Sequence, residues 1–267
     1  LGSVTQRFGS SGTGVQAIQV QGLGGNDRFQ FQSVTIPVSV DGGQGLDSLA
    51  GPIDDSTWNI TDVDAGQVGG MQFQKIENLI GAANNQDVIH PQGYLSGLLD
   101  GNLGGFDRLI IDKQFFGPAI FTALGPDSGT ITLGQQLTRY AGLEPITLIG
   151  PQTDVVVEGS AVDDRMVLEN FGSGTMRVRS DSLAPTFESV EFAIPSGSLT
   201  INGMGGFDFI SMDGLLNLGT ASFTVHGEKI SLPDSSSLTA SNVTLAAVNN
   251  SIRTLDAAAL TSDILSA

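Results

Sequence analysis

Four stretches of the chain are near-copies of one nonapeptide: GLGGNDRFQ from Gly22, GGQGLDSLA from Gly42, LGGFDRLII from Leu103 and GMGGFDFIS from Gly203. Each sets an Asp just past a glycine-rich turn and an apolar residue two positions later. Weaker versions surround Asp87 (from Gly81) and Asp164 (from Gly159). The successive Asp residues, from Asp27 through Asp47, Asp87, Asp107 and Asp164 to Asp208, are 20, 40, 20, 57 and 44 residues apart. Steps near multiples of roughly 20 residues mark stacked repeats, in which one unit cannot bury its own apolar face and relies on its neighbours. The repeat predicts an all-β parallel β-helix, a solenoid with rungs of roughly 20 residues and little helix. Its glycine-rich turns gather at one corner, and inward Val, Ile, Leu and Phe form a continuous ladder.

Composition fits that class. The 36 Gly, and 21 Asp against 7 Glu, favour turns over helices, because Gly supplies positive φ and Asp bonds its own backbone in turns. VQAIQVQ from Val15, SVTIPVSV from Ser33, RLIID from Arg108, GTITLG from Gly129 and DVVVEG from Asp154 read as short strands between Gly, Asp and Pro punctuation. Only Thr254 to Ser266 has helical composition. The repeat region is expected over 1–232, followed by a final irregular rung, cap or linker over 233–267, where a Ser run and an Ala-rich tail begin.

A second word recurs: an aromatic, two spacers, an aliphatic and a Glu, at Phe73, Ile76, Glu77; Tyr140, Leu143, Glu144; and Phe187, Val190, Glu191. With the strands and turns around it, it predicts a double-rung unit of about 45 residues. A sandwich or barrel demands hairpins closed by two-residue turns, whereas the Asp-Gly pairs at Asp41, Asp100 and Asp213 sit inside longer Gly, Leu and Asn stretches.

In the word GGxGxDxUx, glycines allow the tight turn and leave carbonyls free for a cation, Asp supplies a hard anionic oxygen, and the apolar U plugs the core. Gly42, Gly43, Gly45, Asp47 and Leu49 match every position; Leu23 and Met204 replace one Gly in their units, and Asn102 and Leu103 replace the first pair in another. The pattern resembles the RTX-type repeats of secreted bacterial proteins and the haemagglutinin-like repeat regions of giant bacterial surface proteins. That resemblance implies calcium held by Asp27, Asp47, Asp87, Asp107 and Asp208. RTX words follow one another directly, whereas these are isolated, so only Asp27 with Asp47 and Asp87 with Asp107 stand one step apart to share a cation. The alternative for all five is structural: an Asp capping backbone N–H groups in its turn.

Other residues offer less. With no Cys there is no disulfide, thiolate metal site or cysteine nucleophile, and His90 and His226 lack the spacing of a zinc pair. GSSGTG from Gly9 lacks the Lys of a phosphate loop. Asp62 with Asp64, or Asp163 with Asp164, could serve as paired carboxylates for glycosidic cleavage, but also read as solvated turns. Glu77, Glu144 and Glu191 are expected in separate turns, since a stacked acidic ladder repels itself.

A net charge of −17, with three Lys and eight Arg, argues against nucleic acid, and no run of eighteen apolar residues predicts membrane insertion. The chain opens at Leu1 and reads as a piece of a longer, processed or truncated polypeptide. The leading expectation is non-enzymatic: a structural or adhesive segment of a large secreted or cell-surface bacterial protein, partnered by neighbouring domains and by a surface glycan or protein. The alternatives are a β-helix lyase, hydrolase or epimerase of acidic polysaccharide, which calls for a cationic patch such as Arg139, Arg177 and Arg179, and a carbohydrate-binding module. Trp58, Tyr94 and Tyr140, the only Trp and Tyr residues, give that last reading few stacking platforms.

Overall fold

The computed structural model describes residues 14–31, 35–115 and 117–247, and the backbone of 260–261 and 265–266. Strands alternate between two large sheets. β1 (Ile18–Gln21) and β3 (Val38–Asp41) lie in the first, β2 (Arg28–Gln30) and β4 (Ser48–Ala50) in the second. The chain then folds an antiparallel meander into the first sheet, β5 (Thr57–Asp62), β6 (Ala65–Val68) and β7 (Met71–Gln74), before β8 (Asn78–Ile80) rejoins the second. β9 (Val88–Pro91), β10 (Leu98–Asp100) and β11 (Arg108–Ile111) resume the alternation. A second meander, β12 (Ala119–Gly125), β13 (Ser128–Leu133) and β14 (Gln136–Ala141), sits in the second sheet. After β15 (Ile146–Leu148) and β16 (Asp154–Glu158) comes a third, β17 (Arg165–Gly172), β18 (Thr175–Ser180) and β19 (Val190–Ala193), in the first. β20 (Ser198–Asn202) and β23 (Ser222–Gly227) belong to the second sheet, β21 (Phe209–Asp213) and β24 (Lys229–Ser231) to the first. β22 (Leu215–Asn217), β25 (Ser237–Thr239) and β27 (Leu260–Thr261) form a small third sheet, while β26 (Asn242–Ala247) and β28 (Leu265–Ser266) extend the second.

The described residues are all-β, with no helix. Outside the meanders every strand pair is parallel. Steps without a meander are 20 residues over the first part of the chain, where Ile18 pairs with Val38, Phe29 with Leu49, Leu79 with Leu99 and Arg108 with Val88, and 20 to 24 residues toward its end, where Ser198 pairs with Ser222 and Leu215 with Ser237. Alternating Val, Leu, Ile and Phe explain the packing, because a strand turns every second side chain to one face. Thus Ala119 and Phe121, Val155 and Val157, Leu199 and Ile201, Phe223 and Val225, and Val243 and Leu245 stack in register as two buried ladders. One cluster of buried apolar residues runs from Val38 to Leu245. Each fully buried side chain of this size contributes about 1.5–3 kcal/mol.

Four expectations change. The segment around Thr254 to Ser266, helical by composition, places strands at Leu260–Thr261 and Leu265–Ser266; its other residues lie outside the described set. Antiparallel hairpins are present after all, closed at Gly69, Gly134 and Ser173-Gly174 by residues with positive φ. The 45-residue unit is real as a stacking distance, since β15 pairs with β19 and β16 with β20 at 44 residues, but its extra length is a meander rather than a second rung. The recurring turns occupy two corners, not one. Those ending at Asp27 and Asp47 lead from the first sheet to the second; those ending at Asp87, Asp107, Asp164 and Asp208 lead from the second back to the first.

Candidate functional site

All five sequence-predicted Asp residues sit in these stacked turns, and four of them, Asp47, Asp87, Asp107 and Asp208, are buried. At the first corner the Asp27 N–H donates to Asp47 Oδ1 (2.7 Å), and the Asp47 N–H to Glu77 Oε2 (2.6 Å). At the second, the Ser56 N–H donates to Asp87 Oδ1 (2.8 Å) and the Asp87 N–H to Asp107 Oδ1 (2.7 Å). Further along that corner the Asp164 N–H donates to Asp208 Oδ1 (2.9 Å), and the Asp208 N–H to Glu228 Oε2 (2.7 Å). Asp47, Asp87, Asp107 and Asp208, with Glu77 and Glu228, therefore cap the amide of the turn before them, whereas the Asp164 carboxylate accepts from Ser160 within its own turn. These are charge-assisted bonds to donors that a parallel ladder leaves unpaired where it bends.

The residue before the Asp completes a bracket in the opposite direction. The Leu46 N–H donates to Asn26 Oδ1 (2.9 Å), the Gln86 N–H to Asp55 Oδ1 (2.8 Å) and the Phe207 N–H to Asp163 Oδ1 (2.8 Å). Asn26, Asp55, Asp163, Glu77 and Glu228 were not singled out as partners of the motif from sequence. The usable signal is an Asn or Asp just before the motif position of one turn and an acid at that position in the next.

The second carboxylate oxygen explains the invariant glycine of the turn. A methyl group at Gly22 would stand 2.7 Å from Asp27 Oδ2, at Gly42 2.6 Å from Asp47 Oδ2, at Gly101 2.9 Å from Asp107 Oδ2 and at Gly159 2.5 Å from Asp164 Oδ2. Asp27, Asp47 and Asp87 each leave Oδ2 buried without a hydrogen-bond partner, and Trp58 Nε1 is likewise unpaired. Calcium takes six to eight oxygen ligands. Among the described residues no three Asp, Glu or His side chains converge as a cation cage, and the stacked Oδ1 atoms already accept backbone N–H groups, which cannot themselves ligate a cation.

Burial pushes the Asp107 and Asp208 carboxyls up to about 6, opposed by the backbone N–H each accepts and reinforced by neighbouring carboxylates: Asp87, Glu144 and Asp55 around Asp107, and Asp164, Glu228 and Asp163 around Asp208. Burial also raises Asp87, against hydrogen bonding from Asn85 and Ser56. Glu188, half-buried beside Glu144 and Asp127, is pushed up to about 7, mainly by that burial. A carboxyl raised above its unfolded value keeps its proton longer in the folded state, so its stabilisation is complete below pH 4 and is lost as pH rises through 6 to 7. Thermal melts should therefore move upward between pH 7.5 and pH 5, by about 2–4 °C for each kcal/mol gained. A melting temperature that falls over this interval contradicts the raised values.

The other sequence candidates separate. The Glu residues of the aromatic word do different things: Glu77 caps Asp47, Glu144 donates its N–H to the Asp107 carbonyl, and Glu191 accepts from Thr147. Phe73 and Tyr140 occupy equivalent places against Gly66 and Gly129 of the neighbouring strand, but Phe187 precedes β19 and does not. Arg177 and Arg179 lie in the first sheet, both bonded to Glu169, with Arg179 also held by Asp181 at 2.8 Å; Arg139 lies in the second sheet. Asp64 caps Ser96, and Asp62 caps Val63. Trp58 and Tyr140 are buried in the core. Comparison with protein families, with curated proteins and with solved structures finds no match.

Proposed function

We propose that the chain is a parallel β-helical segment, interrupted by three meanders, that serves as a non-enzymatic structural or adhesive part of a large secreted or cell-surface bacterial protein. The observation that carries this reading is the use made of the recurring motif: its carboxylates bond the amides of adjacent turns, so the repeat's chemistry goes into holding one level to the next. The parallel 20-residue steps and the buried in-register ladders support the solenoid. The likeness to RTX-type and haemagglutinin-like repeats supports the surface setting. Against a polysaccharide-cleaving enzyme stands the division of Arg139 from Arg177 and Arg179, the latter two already bonded to acids.

The test is incubation of the purified chain with polygalacturonate and with alginate. Neither new reducing ends nor the ultraviolet absorbance of unsaturated uronates should develop. Product formation with either polymer overturns the non-enzymatic reading.

A further inference from the structure

The same turns that bury carboxylates expose large apolar side chains, and folding gives no reason for them. In the turn before β11, Leu103 is 78% and Phe106 48% exposed; in the turn before β21, Met204 and Phe207 are each 53% exposed. Ile53 stands exposed beside the first pair, two strands away, and Val162 beside the second, one strand away. Met204 holds φ 74°, and its counterpart at the other corner, Leu23, φ 70°. Left-handed backbone at a bulky residue is strained, and such strain concentrates at binding sites. Met204 is thus neither buried nor in a comfortable conformation. Glycine would satisfy the turn better.

The two apolar patches share the second corner. β11 and β21 are five steps apart in the first sheet, which is about 24 Å at the spacing of hydrogen-bonded strands. The part of this interval next to β11 is acidic: Asp127 and Glu144 are exposed there, and Glu188 is half-buried beside both, while nearer β21 Arg165 is paired with Asp181 at 3.9 Å and lies over the Phe209 ring. Asp107, Asp127 and Glu144 line a crevice of about 70 Å³ that opens next to Leu103. The corner therefore presents apolar, acidic and apolar surface in sequence.

We infer that this corner is a docking surface for a basic amphipathic polypeptide, whose apolar side chains cover the Leu103/Phe106 and Met204/Phe207 patches while its Lys or Arg side chains meet Asp127 and Glu144. Charge complementarity selects this occupant over a second copy of the chain, which carries the same acids and a net charge of −17. The inference deepens the adhesive part of the proposed function, and its failure leaves the outcome with polygalacturonate and alginate unaffected.

The probe is a 20-residue amphipathic peptide of leucine and lysine, titrated calorimetrically into the full chain, with its leucine and glutamate counterpart as control. The lysine peptide binds and the glutamate peptide does not. Leu103→Ser with Phe106→Ser, and Met204→Ser with Phe207→Ser, each weaken binding by about tenfold or more, as expected for apolar anchors. Asp127→Asn with Glu144→Gln weakens it and flattens its salt dependence. Met204→Gly raises the melting temperature yet weakens binding, a combination that a purely structural methionine does not give. Unchanged affinity in both Ser pairs means diffuse attraction to an acidic protein and overturns the inference. So does a dimer, seen in sedimentation velocity, that the Ser pairs dissolve, because the occupant is then a second copy.

Discussion

Replacing Gly42 by alanine is expected to cost about 3–5 kcal/mol, among the largest effects of any single methyl group in the chain. The added carbon would stand 2.6 Å from Asp47 Oδ2 and 2.8 Å from Asp47 Cβ, and closer still to the Lys75 carbonyl oxygen. None of these neighbours is free to move. Asp47 is fully buried and its Oδ1 holds the Asp27 N–H, so withdrawing the carboxylate uncaps the adjacent turn. The Lys75 carbonyl belongs to the backbone that leads from β7 into Ile76 and Glu77, the latter bonded to the Asp47 N–H. The penalty is one of space, because Gly42 does not adopt a left-handed φ. Gly25 supplies the contrast: its φ is 105°, but a methyl there meets nothing within 4 Å. Gly25→Ala should cost about 1–2 kcal/mol of backbone strain alone. Denaturant unfolding of the two variants checks the difference. Equal losses, or a Gly42 loss under about 1 kcal/mol, would mean the Asp47 carboxylate does not lie against that glycine.

Much of this arrangement was legible in the sequence, and the failures have a common cause. Strand periodicity is local, so RLIID and DVVVEG gave β11 and β16 with small errors at their ends. The 20-residue spacings correctly paired Asp27 with Asp47 and Asp87 with Asp107, because no strand intervenes beyond the repeating pair. The 40 residues from Asp47 to Asp87 looked like two more steps of the same series. They instead contain the β5–β7 meander, and the motif changes corner across it, a coincidence of length that spacing alone does not reveal. The hairpins were hidden by composition. In a chain with 36 Gly, a two-residue turn such as Gly69-Gly70 does not stand out from the glycines that serve the corners. Asp164 and Asp208 pair across 44 residues for the same reason, a meander lengthening one step. The aspartates were found by their motif; the acids that complete the brackets were missed because their partners come from adjacent levels, a relation visible only once the register is known.

That dependence of each level on its neighbours sets the second expected result. Phe223→Ala removes a fully buried ring stacked in register between Leu199 and Val243, and should cost about 3–5 kcal/mol. Where the loss is felt separates two architectures. In a compact fold with one cooperative core, every slowly exchanging amide loses protection together. In a stack, a level contacts only those beside it, so opening is local and propagates by nearest-neighbour terms. Native-state hydrogen exchange on the variant should therefore show the largest loss of protection in β20, β23 and β26, with β5, β9 and β11 retaining nearly wild-type protection. The first group shares direct backbone pairing with Phe223 or its immediate partners, and the second is separated from it by the meanders of both sheets. A uniform loss across both groups would show that the continuous apolar interior transmits the defect over its whole length, and the solenoid reading, together with the structural role built on it, would fail.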